Sequence, residues 1–332
     1  MPDQSSVGSL GCSLYGDLLT DSRTHSGIIV GLGSGVENDT CNLSNLTPDT
    51  QVLSNEVISF LALNVCGLTS KYKYNNLHQL INKFNFVCFG EIRTTFIAPD
   101  EFPGYKSVIS EKKCKRNGIE TDKYTGLAIL YKDLSDISFQ AINSTNSEWI
   151  LWAKVSCGNF NFLLGAVYIP CRSSIYYCSD IFDTIFEDML ELTTQYDLPI
   201  ILMGDFNSRT SILTDTVSFE REVTEATGFS DEDTNNIELL GLLPRYSQDE
   251  VINNNGKDFL SLCKTFNLRI LNGRFGSDKG VGNFTCHTQR GETLIDYIVV
   301  SDCLTPKVAG FNVDPLDNTL SDVHSAIHMS LF

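Results

Sequence analysis

The sequence predicts an α/β (α+β) sandwich, two packed mixed β-sheets flanked by helices, over residues 56–332 of the chain. Three observations predict it. Short apolar runs bounded by turn-forming residues recur from Val57 to the C-terminus. Segments of helical periodicity fall between some of them. Strands far outnumber helices, the pattern of sheets packed on one another with helices outside. At 42% hydrophobic and 20% charged residues the composition is that of a globular protein, not a disordered one. No fixed-period repeat points to a solenoid or propeller.

Residues 1–55 are rich in Gly, Ser, Thr, Asn and Asp and read as a flexible leader. Ile58 to Val65 is then a buried strand. Leu77, Leu80, Ile81 and Phe84 repeat at helical spacing. Phe86 to Glu91, Gly126 to Tyr131, Trp149 to Val155 and Phe160 to Ile169 are further strands, the last stopped by Pro170. Ile181, Phe182, Ile185, Phe186, Met189, Leu190 and Leu192 form one apolar helix face, with Ser179 or Asp180 as its cap. Leu198 to Met203 is a buried strand running into Gly204-Asp205-Phe206-Asn207. Residues 214–255 are polar and acidic and read as a surface insertion. A helix near Lys257 to Phe266 follows, then strands at Leu268–Ile270, Phe284–His287, Leu294–Val300 and Ala326–Leu331.

The formal net charge is −17, from 41 acidic and 24 basic residues. That is the wrong sign for a phosphate-rich partner, so nucleic-acid binding here requires local cations or metal ions. Lys112-Lys113-Cys114-Lys115-Arg116 is a candidate phosphate contact, although such runs are usually solvated loops. The 11 cysteines show neither C-x-x-C nor zinc-type spacing and lie partly in apolar runs, as reduced core thiols do. There is no secretory signal and no apolar run of membrane-spanning length. The expectation is a soluble protein of the nucleus or cytoplasm, with no membrane partner.

One pattern recurs at the strand ends. Asn64, Glu91, Tyr168, Asp205 with Asn207, and Asp296 each close or open a buried strand, and Asp322 and His324 precede the last one. Strand ends are where loops assemble sites on a rigid scaffold, and carboxylates there suit a hard cation such as Mg²⁺. Each residue alone is more often a turn former than a ligand. Their joint placement beside strongly apolar segments is the informative feature.

Order and spacing resemble the endonuclease/exonuclease/phosphatase superfamily, which includes exonuclease III-like and deoxyribonuclease-like enzymes. The matching blocks are Leu63-Asn64-Val65-Cys66-Gly67-Leu68, Gly90-Glu91, Val167-Tyr168-Ile169-Pro170, Gly204-Asp205-Phe206-Asn207, Leu294-Ile295-Asp296-Tyr297 and Ser321-Asp322-Val323-His324. Glu91-Ile92 departs from the commoner Glu-Thr. Val323 separates Asp322 from His324 where the family shows Ser-Asp-His, which puts the register of His324 in question, with His328 as an outside substitute. Within Arg245 to Ser301, the runs Val251–Gly256, Arg269–Arg274 and Phe284–Cys286 resemble the endonuclease domain of LINE-type (non-LTR) retrotransposons. In those elements a reverse transcriptase follows. The chain ends at Phe332, so the expectation is a nuclease domain without that module.

The resemblance implies a Mg²⁺-dependent phosphodiesterase acting on DNA, with Mn²⁺ as a substitute ion. Glu91 and Asp322 would hold the metal, with Asn64 positioning Glu91 or the ion. Asp205 would orient or deprotonate water, and Asp296 would orient His324. Tyr168 and Asn207 would donate to the phosphate. Thr285 and Ser321 are the remaining candidates for substrate contact, with a structural role as the plainer reading of each. Two alternatives stay open: the same fold acting on RNA or lipid and inositol phosphates, and an inactive relic that only binds.

Overall fold

A computed structural model describes residues 57–110, 114–116, 119–121, 126–216 and 244–332. The expected leader, residues 217–243 of the expected insertion, and Lys112-Lys113 lie outside the described residues. The first strands are β1 (Ile58–Asn64), β2 (Phe86–Gly90), β3 (Tyr105–Ile109), a short pair β4 (Cys114–Arg116) and β5 (Ile119–Thr121), and β6 (Ala128–Lys132). Next come β7 (Ile137–Ile142), β8 (Ile150–Cys157), β9 (Phe160–Tyr168) and β10 (Ile200–Asp205). The rest are β11 (Leu268–Ile270), the hairpin β12 (Cys286–Thr288) and β13 (Gly291–Thr293), β14 (Asp296–Ser301), β15 (Val308–Val313) and β16 (Ile327–Leu331). The helices are α1 (Asn75–Ile81), α2 (Ile181–Tyr196) and α3 (Asn254–Thr265).

Two six-stranded mixed sheets result, ordered β15-β16-β1-β2-β6-β3 and β11-β14-β10-β9-β8-β7. Alternation along the strands divides their side chains into three apolar layers. Phe60, Ala62, Phe86 and Cys88 of the first sheet meet Leu164, Ala166, Ile201, Met203, Ile298 and Val300 of the second. Phe162 seals this middle layer edge-on against Phe60 and Phe86, at 5.7 and 5.8 Å between ring centroids. The opposite face of the second sheet, with Leu163, Ile200, Leu202 and Tyr297, is covered by Ile181, Ile185 and Met189 of α2 and Phe259 of α3. The opposite face of the first sheet carries Leu61, Leu63, Val87 and Phe89 under Leu77 and Ile81 of α1.

Register fixes what happens where the middle layer ends. In the second sheet Asp205 pairs with Tyr168 on one side and with Asp296 on the other. These residues share the parity of Ile201 and Met203, Leu164 and Ala166, and Ile298 and Val300, so all three side chains point between the sheets. In the first sheet Asn64 shares the parity of Phe60 and Ala62 and lies opposite Gly90. The inter-sheet core therefore turns from apolar to polar at one end.

The strands β3, β7 and β15 lie at sheet edges and were not legible in the sequence. Their exposed positions, such as Lys106, Ser138 and Gln140, dilute the apolar pattern that marks a buried strand. The flanks of the 214–255 segment also differ from the expected surface insertion: Asp215, Arg245, Asp249 and Asn255 are buried. Polar composition misleads there because these groups are paired inside the fold. Asp180 stands at the α2 N-cap without a capping side-chain bond. The α3 cap is instead fully made, by Asn253 Oδ1 accepting from Gly256 N at 2.7 Å. Among the described residues no helix is long and apolar enough to cross a membrane.

Candidate active site

The polar end of the middle layer is one connected hydrogen-bond network. Asn64 Nδ2 donates to Glu91 Oε1 and to Asp205 Oδ2, both at 3.0 Å, joining the two sheets. Asp205 Oδ1 accepts from Asn207 N at 2.8 Å. His324 Nδ1 lies 2.9 and 3.1 Å from the two Asp296 oxygens, and its Nε2 lies 3.8 Å from Asp205 Oδ2. One ligand atom from each of Asp205, Asp296 and His324 falls within 4.8 Å of the others. The Tyr168 hydroxyl faces Glu91, whose carboxylate helps burial to raise its pKa.

Local sequence explains this precision. Gly204 has φ 141°, and a Cβ there would sit 2.1 Å from the Val167 carbonyl oxygen, so only glycine lets β10 run this close to β9. Phe206 is buried and stacks on Phe259 at 4.4 Å, which anchors the turn to α3. Asn207 takes the left-handed conformation, φ 45°, that brings its N–H back onto Asp205. Asn253 Nδ2 then donates to the Asn207 carbonyl, so the α3 cap also holds the loop. Glu91 likewise sits at φ 48°, with its carbonyl accepting from Gly67 N.

Electrostatically the site is short of positive charge. Burial first, then the neighbouring Asp296 carboxylate, raises the pKa of Asp205, against the opposing pull of His324 and the bonds from Asn207 and Asn64. Burial alone would lower the pKa of His324, but the charge and hydrogen bond of Asp296 outweigh it and raise it to about 9. Burial, Glu91 and Asp205 push the Tyr168 phenol up, so it stays a donor. Carboxylate oxygens are the donors a hard cation such as Mg²⁺ takes. Glu91 offers them at a partly exposed position beside two buried, undercompensated carboxylates, so the donor set fits a divalent ion.

A profile of the endonuclease/exonuclease/phosphatase family matches residues 61–322. The chain belongs to this family. Solved structures with the same fold include the endonuclease domain of TRAS1, a telomere-specific non-LTR retrotransposon, at 13% identity and TM-score 0.52, covering 83% of this chain and 98% of that one. The AP endonuclease LMAP from Leishmania major superposes with TM-score 0.58 at 15% identity, covering 83% of this chain and 87% of that one. The 3'-5' exonuclease NExo from Neisseria meningitidis gives 0.52 at 17%, covering 82% and 99%. No curated protein matches by sequence. At these identities the structural likeness speaks for the fold, and the family is one of hydrolytic nucleases and phosphatases.

The structure joins Asn64, Glu91, Tyr168, Asp205, Asn207, Asp296 and His324, and shows what each of the other expected residues touches. Asn64 Oδ1 faces the Cys66 N–H, so its amide nitrogen and not its oxygen meets the carboxylates; it positions them and does not act as a ligand. Asp322, expected as a metal ligand, is largely exposed and paired with Lys71 Nζ at 2.6 Å. Thr285 is buried, and its hydroxyl accepts from Ile295 N and Asp296 N, bracing the backbone of Asp296. Ser321 is buried as well, with its Oγ accepting from His324 N. Asn207 spends a side-chain N–H on the Ile169 carbonyl at 2.9 Å. The extra residue Val323 is absorbed by a bonded segment: its carbonyl accepts from His287 N, and Ser325 N donates to the Thr285 carbonyl. His324 thereby reaches Asp296, while His328 sits on Asp314 elsewhere.

Other contributors carried no role in the sequence reading. Asn272 is buried and donates to the Asp296 carbonyl. Asp249 accepts from Leu294 N and binds Arg209. Arg93 and Lys71 neutralise Glu91 and Asp322. The signal that marks the last two is a cation in the loop beyond each polar strand end.

Proposed function

We propose that the chain is a Mg²⁺-dependent DNA endonuclease that nicks one strand, of the type carried by non-LTR retrotransposons. One observation carries this reading: Asn64 bridges Glu91 and Asp205 while Asp296 grips His324 beside them. The named activities of the structural relatives, endonuclease and exonuclease, support it. So does the position of His324, which meets Asp296 despite Val323 and so weakens the inactive-relic alternative.

Asp205 accepts the proton of the attacking water; its raised pKa makes it a better base than an ordinary carboxylate. Asn64 and the Asn207 N–H hold its two oxygens in place. His324, kept protonated by Asp296, aims Nε2 at the position of a phosphoryl oxygen and donates as negative charge builds there. Asp296 acts on the imidazole as the buried carboxylate of a catalytic triad does. Tyr168 adds a second donor close to Glu91. Glu91 would hold a divalent cation, which would supply charge neutralisation for the phosphate undergoing hydrolysis. Attack by water breaks the phosphorus–oxygen ester bond and leaves a phosphomonoester and a hydroxyl.

Supercoiled plasmid is the direct test. The wild-type chain should produce nicked circles with Mg²⁺, none with EDTA, and almost none as Asp205→Ala. Activity confined to lipid or nucleotide esters would move the substrate, and silence on every ester would sink the reading.

A further inference from the structure

Each loop that leaves the polar end of a site strand carries a cation, and each of these cations is held by an acidic partner. Lys71 follows β1 and binds Asp322; Arg93 follows β2 and binds Glu91; Arg172 follows β9 and binds Asp258; Arg209 follows β10 and binds Asp249. Their exposure separates them. The Lys71 side chain is 6% exposed and that of Arg209 28%, whereas Arg93 and Arg172 are 42% and 44% exposed. Only the latter pair presents enough guanidinium to solvent for a polyanion to grip.

Arg93 differs from Arg172 in what holds it. Arg172 rests on Asn255 and Asp258 and stacks over the Tyr177 ring, all outside the reacting cluster. Arg93 donates Nη2 to Oε2 of Glu91, the partly exposed carboxylate best placed to take a divalent ion. Its backbone is strained to reach there, with φ 52° two residues after Glu91 at φ 48°. Its stem lies against Gly67, where a Cβ would come within 3.6 Å of Arg93 Cδ. A metal ion and a guanidinium cannot both saturate the same carboxylate oxygen.

Resting on the nuclease reading above, we propose that Arg93 is an exchangeable cation. It neutralises Glu91 in the free protein, yields that carboxylate when a divalent ion arrives, and then binds a backbone phosphate of the substrate. Arg172 grips a second phosphate without touching the metal. The exchange keeps the acidic site charge-balanced before and after loading, and places a bidentate phosphate donor beside the reacting ester. It also gives a chain of charge −17 a local foothold on DNA.

The full-length chain distinguishes these roles through two binding measurements and no turnover. Calorimetric titration with Mn²⁺ should show Arg93→Met binding the ion roughly 3- to 5-fold more tightly than wild type, the scale of a half-exposed pair that no longer has to be displaced. Arg172→Met should bind Mn²⁺ as wild type does. Binding of a short DNA duplex, followed with Ca²⁺ across a salt series, should weaken in both variants. The log–log salt slope should shrink by about 0.9 for each lost phosphate contact. Arg93→Lys should fold like wild type and recover most of the DNA affinity, which guards against a misfolded Met variant. Unchanged or weaker Mn²⁺ binding in Arg93→Met overturns the exchange, even if the wild type nicks DNA. Wild-type protein that binds neither Mn²⁺ nor the duplex overturns the nuclease reading together with it.

Discussion

Asp205 and Asp215 are both buried aspartates in one fold, ten residues apart, and their surroundings push them in opposite directions. Asp215 accepts from Arg274 Nη1 and Nη2, each at 2.8 Å, and from Ile270 N at 2.8 Å. Burial alone would raise its pKa, but the guanidinium outweighs burial and lowers it. Asp205 receives neutral donors only, from Asn64 and Asn207, and faces a second carboxylate. Its pKa is raised. The fold bonds a guanidinium directly to the carboxylate that holds structure together, and leaves the one that must take up a proton only the more distant His324, which it shares with Asp296. Substitutions at the two positions should therefore separate activity from stability.

The largest effect is expected at Asp205. Asp205→Ala should lower nicking by roughly 10²–10⁴-fold, the usual contribution of a positioned base. Asp205→Asn should be as inactive yet melt above wild type at neutral pH in EDTA, because wild-type Asp205 must take up a proton on folding there and Asn need not. The sign follows from the raised folded-state value. Below the unfolded value of about 3.9 the aspartate is protonated in both states and the variant has no advantage. The advantage grows as pH rises through the folded value. A variant that melts below wild type at every pH would break the contrast. Asp296→Asn should cost activity on a similar scale and let the pKa of His324 fall, which NMR of the imidazole can follow. A His324 titration that stays put would show that Asp296 does not control it.

Asp215 should show the reverse. Asp215→Ala takes the carboxylate partner from the buried Arg274 guanidinium and should cost about 3–5 kcal/mol of stability. Since its folded-state pKa is lowered, its contribution is fully present above the unfolded value of about 3.9 and is lost as pH falls through the folded value. Thermal melts of wild type and variant should therefore converge on acidification. At temperatures where the variant is still folded, its nicking rate should stay near wild type. Lost activity in fully folded Asp215→Ala would mean that the two aspartates are not as independent as their surroundings suggest.

Much of this was legible in the sequence for one reason: a buried strand announces itself, and a polar residue closing such a strand stands out. Asn64, Glu91, Tyr168, Asp205 and Asp296 were visible that way, as were the central strands that carry them. Residues whose role depends on a distant partner were not visible. Nothing near Asp322 in the chain marks Lys71 as its counterion, 251 positions away. Asp215 falls in the stretch read as a polar surface insertion, and nothing near it marks Arg274 as its counterion. The edge strands β3, β7 and β15 were missed because most of their positions are only partly buried or exposed, which dilutes the apolar pattern.

Thr285 offers the smallest expected effect and the finest test of where site and scaffold meet. Its hydroxyl accepts from two backbone donors, Ile295 N at 3.1 Å and Asp296 N at 2.9 Å, in a fully buried position. Thr285→Val preserves the shape and leaves both N–H groups unsatisfied, at a cost of about 1–3 kcal/mol each when wholly unrelieved. Thr285→Ser keeps the oxygen and removes only a methyl group, so it should stay close to wild type in both stability and nicking. If Thr285 contacted substrate instead, the valine variant would raise KM at unchanged thermal stability. The buried geometry predicts lower stability together with a modest fall in kcat, because the residue whose backbone loosens is the one that orients His324.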